Sequence, residues 1–135
     1  KSIIKNKKFF IDNHNYIYIV SGGFKEIIEN VVNDYHIPQE HVIANSFLFK
    51  NSLVSGVNPK SDLLREHGKV KAINKLNLNG QIIMVGDGYT DYEVKKYNAA
   101  DIFIAYTENI NRKSVVKNAD IVANNFDKVI EEFMR

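Results

Sequence analysis

Short apolar runs alternate along this chain with segments in which apolar residues recur at helical spacing. A run of four to eight apolar or β-branched residues predicts a strand, and recurrence every three to four residues predicts an amphipathic helix. The predicted strands cover residues 16–20, 42–44, 82–85, 102–106 and 120–123. The predicted helices cover residues 1–13, 24–35, 69–76, 90–98, 111–117 and 126–134.

This alternation predicts the α/β class, with a Rossmann-like core built on a mainly parallel sheet. One segment departs from the alternation. Residues 46–50 and 53–57 flank Asn51 and Ser52, which predicts a β-hairpin excursion from the core. With 135 residues the chain is long enough for one domain, and we predict a single domain over residues 1–135.

Composition narrows the function classes. The net charge of +2 is too small to indicate binding to nucleic acid or to an anionic membrane. The chain has no cysteine, which excludes disulfides and thiolate-bound metals. No apolar run approaches the roughly 20 residues of a membrane-spanning helix. We therefore expect a cytoplasmic protein.

The first candidate site is the turn after the strand at residues 82–85. Gly86 and Gly88 flank Asp87, and Asp91 follows in the first turn of a helix for which Thr90 and Glu93 predict a capping box. Ligands of open α/β sheets bind at such strand ends, and a pair of carboxylates suits Mg²⁺. An ordinary turn with two solvated aspartates is the alternative.

Ser21, Gly22 and Gly23 follow the first predicted strand in the same way. A hydroxyl, closely approachable backbone amides and the start of a helix together predict a phosphate-binding turn. The alternative is that Ser21 only caps the helix and that the glycines only turn the chain.

Lys69 precedes Ile73 by four residues, so it lies on the buried face of its predicted helix, whereas Lys71 and Lys75 share the solvent face. An ammonium group directed inward requires an anion. Asp87, Asp91 and a substrate phosphate would supply that anion. The alternative is a purely structural ion pair or a frayed surface lysine.

In this order the three sites resemble the motifs of the haloacid-dehalogenase-like (HAD) phosphatase superfamily, and most closely those of its phosphoserine phosphatase-like branch. Ser21-Gly22-Gly23-Phe24 resembles the second motif, Lys69 the third, and the turn from Gly86 to Asp91 the fourth. The resemblance implies a Mg²⁺-dependent hydrolase of small phosphate monoesters.

The resemblance also implies individual roles. Asp87 would ligate Mg²⁺, and Asp91 would support the water shell of the metal. Ser21 and the amide of Gly22 would bind phosphoryl oxygens. Lys69 would neutralise the charge of the phosphate.

One motif of the superfamily has no counterpart in this chain. The nucleophilic Asp-x-Asp would precede the second motif, but the only acid before Ser21 is Asp12, and it has no second aspartate two residues on. We therefore expect this to be the carboxy-terminal part of a larger phosphatase, without nucleophile or cap and inactive alone. A preceding segment or a second chain would then complete the sheet between the strands at residues 16–20 and 82–85, unless these two strands pair directly.

A non-catalytic domain that senses phosphate or binds a partner is the alternative function. A response-regulator receiver also uses acids and a lysine at strand ends. It is disfavoured because its lysine follows its paired acids, whereas Lys69 precedes Asp87.

Overall fold

The computed structural model describes residues 1–135, which form two compact units. One unit combines Lys1–Asn6 with Lys69–Arg135, and the other is Lys7–Gly68. In chain order the helices and strands are α1 (Ser2–Lys5), α2 (Lys7–Asp12), β1 (Ile19–Phe24), α3 (Lys25–Val32), β2 (Val42–Asn45), β3 (Phe47–Lys50), β4 (Leu53–Val57), α4 (Gly68–Lys75), β5 (Ile83–Gly86), α5 (Tyr89–Lys96), β6 (Ile102–Tyr106), α6 (Lys113–Val116), β7 (Ile121–Ala123) and α7 (Phe126–Phe133).

Within the 7–68 unit, β1 and β2 form a parallel pair. Val42 at the start of β2 and Val32 at the end of α3 are both buried. The parallel pairing and the helix between the two strands are what the alternating pattern predicts.

The first strand was predicted to span residues 16–20 and to close at Ser21, and this boundary is wrong at both ends. His14–Tyr16 form a 3-10 turn, so β1 begins only at Ile19. The strand then continues past the glycines, because the ladder resumes at Phe24, which pairs with Asn45. The ring of Phe24 stacks on Phe47 at 4.0 Å, which holds this last residue in the strand.

The predicted hairpin is present as β3 and β4, which pair antiparallel. Asn51 and Ser52 form its two-residue loop with φ of 54° and 65°. Positive φ at both loop residues is the geometry of a type I′ turn, whose twist matches that of the flanking strands.

The other unit is built on a three-stranded parallel sheet in the order β5-β6-β7. Phe103 and Ile104 of β6 are fully buried at its centre, as is Val94 of α5. The short helix α1 is tied to this unit through Ser2, whose hydroxyl accepts a hydrogen bond from the backbone N–H of Phe126 at 2.7 Å.

The predicted α/β class is confirmed, because every strand pair outside the hairpin is parallel. β1 pairs with β2 alone, and β5 pairs with β6 alone, so each has one edge without a strand partner. That one domain comprises the whole chain stays a prediction. None of the helices has both the length and the apolar character needed to span a membrane.

Candidate phosphate and metal site

The turn between β5 and α5 depends on a glycine at position 86. A Cβ atom added there would overlap the carboxylate of Asp91. Because no side chain fits at this point, the backbone of Gly86 and the Asp91 carboxylate can lie directly against each other. Gly86 is the last residue of β5, so it lies at the carboxyl end of the strand, as predicted.

Asp91 is buried, with an exposed fraction of 7%, and both of its oxygens are engaged. Oδ1 accepts a hydrogen bond from Lys69 Nζ at 2.6 Å, and Oδ2 accepts one from the backbone N–H of Gly88 at 3.1 Å. A buried carboxylate held by a cation and an amide has a fixed orientation. The predicted inward direction of Lys69 and its pairing with an aspartate are thus observed.

The predicted capping box is wrong in its residues. Helix α5 begins at Tyr89 with Gly88 as its N-cap, so Asp91 is the third helical residue and its carboxylate caps the Gly88 N–H. The prediction assigns this geometry to Thr90 and Glu93, which is two residues too late. Asp91 takes the capping position because its short carboxylate reaches the amide while still meeting Lys69.

Asp87 differs from Asp91 in its surroundings, because half of its side chain is exposed to solvent. Its partner is Arg112, whose guanidinium lies 3.5 Å from Asp87 Oδ1 and donates to the Asp87 backbone carbonyl at 3.0 Å. Sequence reasoning missed Arg112. It follows Asp87 by 25 residues, and no local pattern indicates the contact.

The oxygen donors at this turn fit Mg²⁺ in kind, since that ion is bound in proteins by one or two carboxylates together with several waters. Asp87 is the accessible donor, whereas both oxygens of Asp91 already accept hydrogen bonds. No cluster of three or more histidine, aspartate or glutamate side chains is placed to enclose a metal ion. Asp87 would therefore bind the ion directly, and Asp91 would support the water shell of the ion without binding it.

The predicted phosphate-binding turn, Ser21–Gly23, forms the bulge of β1 in the 7–68 unit and is held by two side chains. The backbone N–H of Gly23 donates to Ser21 Oγ at 3.0 Å, and Asn45 Nδ2 donates to the carbonyl of Gly22 at 2.9 Å. Gly22 is exposed, and a Cβ atom there would meet no atom within 4 Å. The bond from Gly23 occupies only an acceptor position of Ser21 Oγ, so the hydroxyl hydrogen of Ser21 can still donate to an anion.

Comparison with known proteins agrees with this fold. The chain is 36% identical over 118 residues to a chloroplastic phosphoserine phosphatase of Arabidopsis thaliana, covering 84% of this chain and 40% of that protein. It is 33% identical over 120 residues to a phosphoserine phosphatase of Homo sapiens, covering 86% of this chain and 52% of that protein. No family model matches the chain.

A solved structure is also similar, that of a phosphoserine phosphohydrolase-like protein from Francisella tularensis subsp. tularensis SCHU S4. The TM-score is 0.84 with 28% sequence identity, over 94% of this chain and 61% of that one. The chain is similar to phosphoserine phosphatases, and the resemblance to the phosphoserine phosphatase-like branch of the HAD superfamily is confirmed. It spans about half the length of the curated relatives it matches.

Proposed function

We propose that this chain contributes the phosphate- and metal-binding part of a Mg²⁺-dependent phosphatase that acts on phosphoserine or a similar small phosphate monoester. The observation that supports this best is the buried pair of Lys69 and Asp91 beside the Gly86–Gly88 turn. A buried ion pair is weak evidence of a purely stabilising role, because desolvation of two charges offsets most of their attraction. Its place at the carboxyl end of a parallel strand favours a ligand site.

Each residue has a task in this proposal. Asp87 holds the metal, and Asp91 fixes Lys69 and orients the water shell of the metal. Ser21 donates its hydroxyl hydrogen to a phosphoryl oxygen, and the Gly22 amide does the same. Lys69 has two further N–H bonds with which to neutralise phosphate charge. When bound, Mg²⁺ would polarise a phosphoryl oxygen and reduce the repulsion between an anionic ester and its attacking group.

The nucleophile is not assigned to any residue of this chain. Asp12 does not serve, since it ends α2 and its exposed carboxylate is paired with Lys8 at 2.5 Å. We therefore propose that the chain alone binds a phosphate ester but does not hydrolyse it. The alternative, a domain that senses phosphate without catalysis, predicts the same binding.

Mg²⁺ binding at Asp87 tests the metal assignment. Titration of the chain with MgCl₂, followed by heteronuclear NMR, is expected to shift the amides of the Gly86–Gly88 turn. Asp87→Asn should abolish these shifts because an amide is a much poorer ligand for Mg²⁺ than a carboxylate. Asp127→Asn is the matched control, since Asp127 is an equally exposed aspartate in a surface ion pair with Lys5. Unchanged shifts in Asp87→Asn would contradict the assignment.

A further inference from the structure

Asn45, the last residue of β2, is the most deeply buried uncharged amide side chain of the molecule, with an exposed fraction of 4%. Its Nδ2 donates to the Gly22 carbonyl at 2.9 Å. A carbonyl oxygen only accepts hydrogen bonds, so the amide nitrogen must face Gly22 and the orientation of the Asn45 side chain is fixed. The opposite orientation would place two oxygens against each other.

The hydrogen bond from Asn45 helps to hold the peptide group that joins Gly22 and Gly23. The Gly22 carbonyl and the Gly23 N–H belong to the same planar peptide. Asn45 holds the carbonyl end of this peptide, and Ser21 Oγ accepts from its N–H end at 3.0 Å. The peptide plane is therefore fixed at both ends, and Ser21 Oγ is fixed with it. This peptide lies at the bulge where the ladder between β1 and β2 is interrupted, so regular strand pairing does not hold it.

Glu26 also forms a hydrogen bond between its side chain and the backbone of another element. Its Oε1 accepts a hydrogen bond from the backbone N–H of Phe47 at 2.9 Å, which ties the start of α3 to the start of β3. Asn45 and Glu26 each retain one buried oxygen without a protein partner, Oδ1 and Oε2 respectively. Unsatisfied buried oxygens are costly, and an apolar side chain at position 45 would avoid that cost. What an apolar side chain could not provide is the donor to Gly22.

We propose that Asn45 is a positioning residue. It fixes the Gly22–Gly23 peptide, and through this peptide it holds the Ser21 hydroxyl in the orientation in which it can donate to a phosphoryl oxygen. This proposal rests on the proposed phosphate-binding role of the turn. Asn45 itself does not contact the ligand.

The test uses Asn45→Leu and Asn45→Asp, neither of which can donate to Gly22 at neutral pH. Asn13→Asp is the matched control. Asn13 lies in the same unit, and its Nδ2 also donates to a backbone carbonyl, that of Phe9 at 2.9 Å. Two quantities are measured on each variant by NMR: hydrogen exchange of the Gly23 amide without ligand, and the dissociation constant of inorganic phosphate from the Ser21–Gly23 amides.

In both Asn45 variants we expect the exchange rate of the Gly23 amide to rise about tenfold and the dissociation constant of phosphate to rise about tenfold. A tenfold change corresponds to the loss of one hydrogen bond. The control should change by less than about twofold, because the hydrogen bond of Asn13 goes to Phe9 and not to the Gly22–Gly23 peptide. Lowering the pH should partly restore Asn45→Asp and not Asn45→Leu, because a protonated carboxyl can donate.

Several results separate this proposal from the proposed function. Unchanged Gly23 exchange in a folded Asn45→Leu variant would overturn the positioning role, and so would faster exchange with unchanged phosphate affinity. If the unsubstituted chain shows no phosphate shifts at this turn, the phosphate-binding role fails, and the Gly23 exchange rates still decide whether Asn45 fixes the peptide. Should both Asn45 variants fail to fold, Asn45→Ser, which keeps a small donor, must fold and restore Gly23 protection, or the proposal is overturned.

Discussion

The buried pair of Lys69 and Asp91 allows a quantitative prediction from a double-mutant cycle. Lys69→Met removes the ammonium while keeping the length of the side chain. Asp91→Asn removes the charge while keeping an acceptor for the Gly88 N–H. The cycle therefore isolates the interaction between the two charges, provided that neither substitution creates a new contact.

The magnitude follows from burial. Removing one partner of a fully buried ion pair costs about 3–5 kcal/mol. Here 19% of the Lys69 side chain and 10% of the Asp91 side chain remain exposed, so solvent reduces this cost. We expect Lys69→Met to lower the free energy of unfolding by about 2 kcal/mol, with a coupling energy of about 1–2 kcal/mol. For a chain of this length the single substitution should lower Tm by roughly 6–10 °C.

Urea unfolding followed by circular dichroism gives the four free energies of the cycle, with a constant m-value as the check on two-state behaviour. Lys71→Met is the matched control, because Lys71 is exposed on the same helix. It should change the free energy of unfolding by less than about 0.5 kcal/mol. A coupling energy below about 0.5 kcal/mol would refute the claim that the buried carboxylate is held by Lys69.

Three further predictions concern the same unit. Gly86→Ala should destabilise the protein by about 1–3 kcal/mol in urea unfolding, because its methyl group overlaps the Asp91 carboxylate, and a cost no greater than that of Gly56→Ala, where the space is open, would contradict this contact. Hydrogen bonds, first from the hydroxyl of Tyr106, lower the pKa of Glu108 to about 2 from 4.5, so its stabilising contribution is complete above about pH 4.5 and is lost as the pH falls toward 2. Glu108→Gln should therefore make the free energy of unfolding depend less on pH in that range. An unchanged pH dependence in urea unfolding would contradict the stabilising role of the hydrogen bonds to Glu108. Burial, followed by the hydrogen bond to Glu108, raises the pKa of Tyr106 to about 12, which a spectrophotometric titration of the phenol can verify.

The sequence predicts the parts of the site that depend on local pattern. A short apolar run followed by two glycines is sufficient to place Asp87 at a strand end, and helical spacing is sufficient to turn Lys69 inward and leave Lys71 exposed. These features follow from periodicities of one element, so they do not require knowledge of the neighbours.

The features that were missed depend on contacts between elements. Arg112, just before α6, contacts Asp87 at a separation of 25 residues, and Asn45, at the end of β2, contacts Gly22 at a separation of 23 residues. The first strand extends to Phe24 because of a stacking partner in the hairpin. Such contacts depend on tertiary packing, which here overrides the local turn signal through the stacking of two aromatic rings.

Phosphorus NMR of phosphoserine in the presence of this chain and Mg²⁺ tests the central claim most directly, because one spectrum reports both the bound ester and any inorganic phosphate released. We predict that the phosphoserine resonance broadens with the chain, that Ser21→Ala reduces the broadening, and that no inorganic phosphate appears. A resonance that the chain leaves unchanged would contradict the phosphate site. Release of inorganic phosphate that requires Mg²⁺ and is lost in Asp91→Asn would contradict the claim that the nucleophile lies outside this chain.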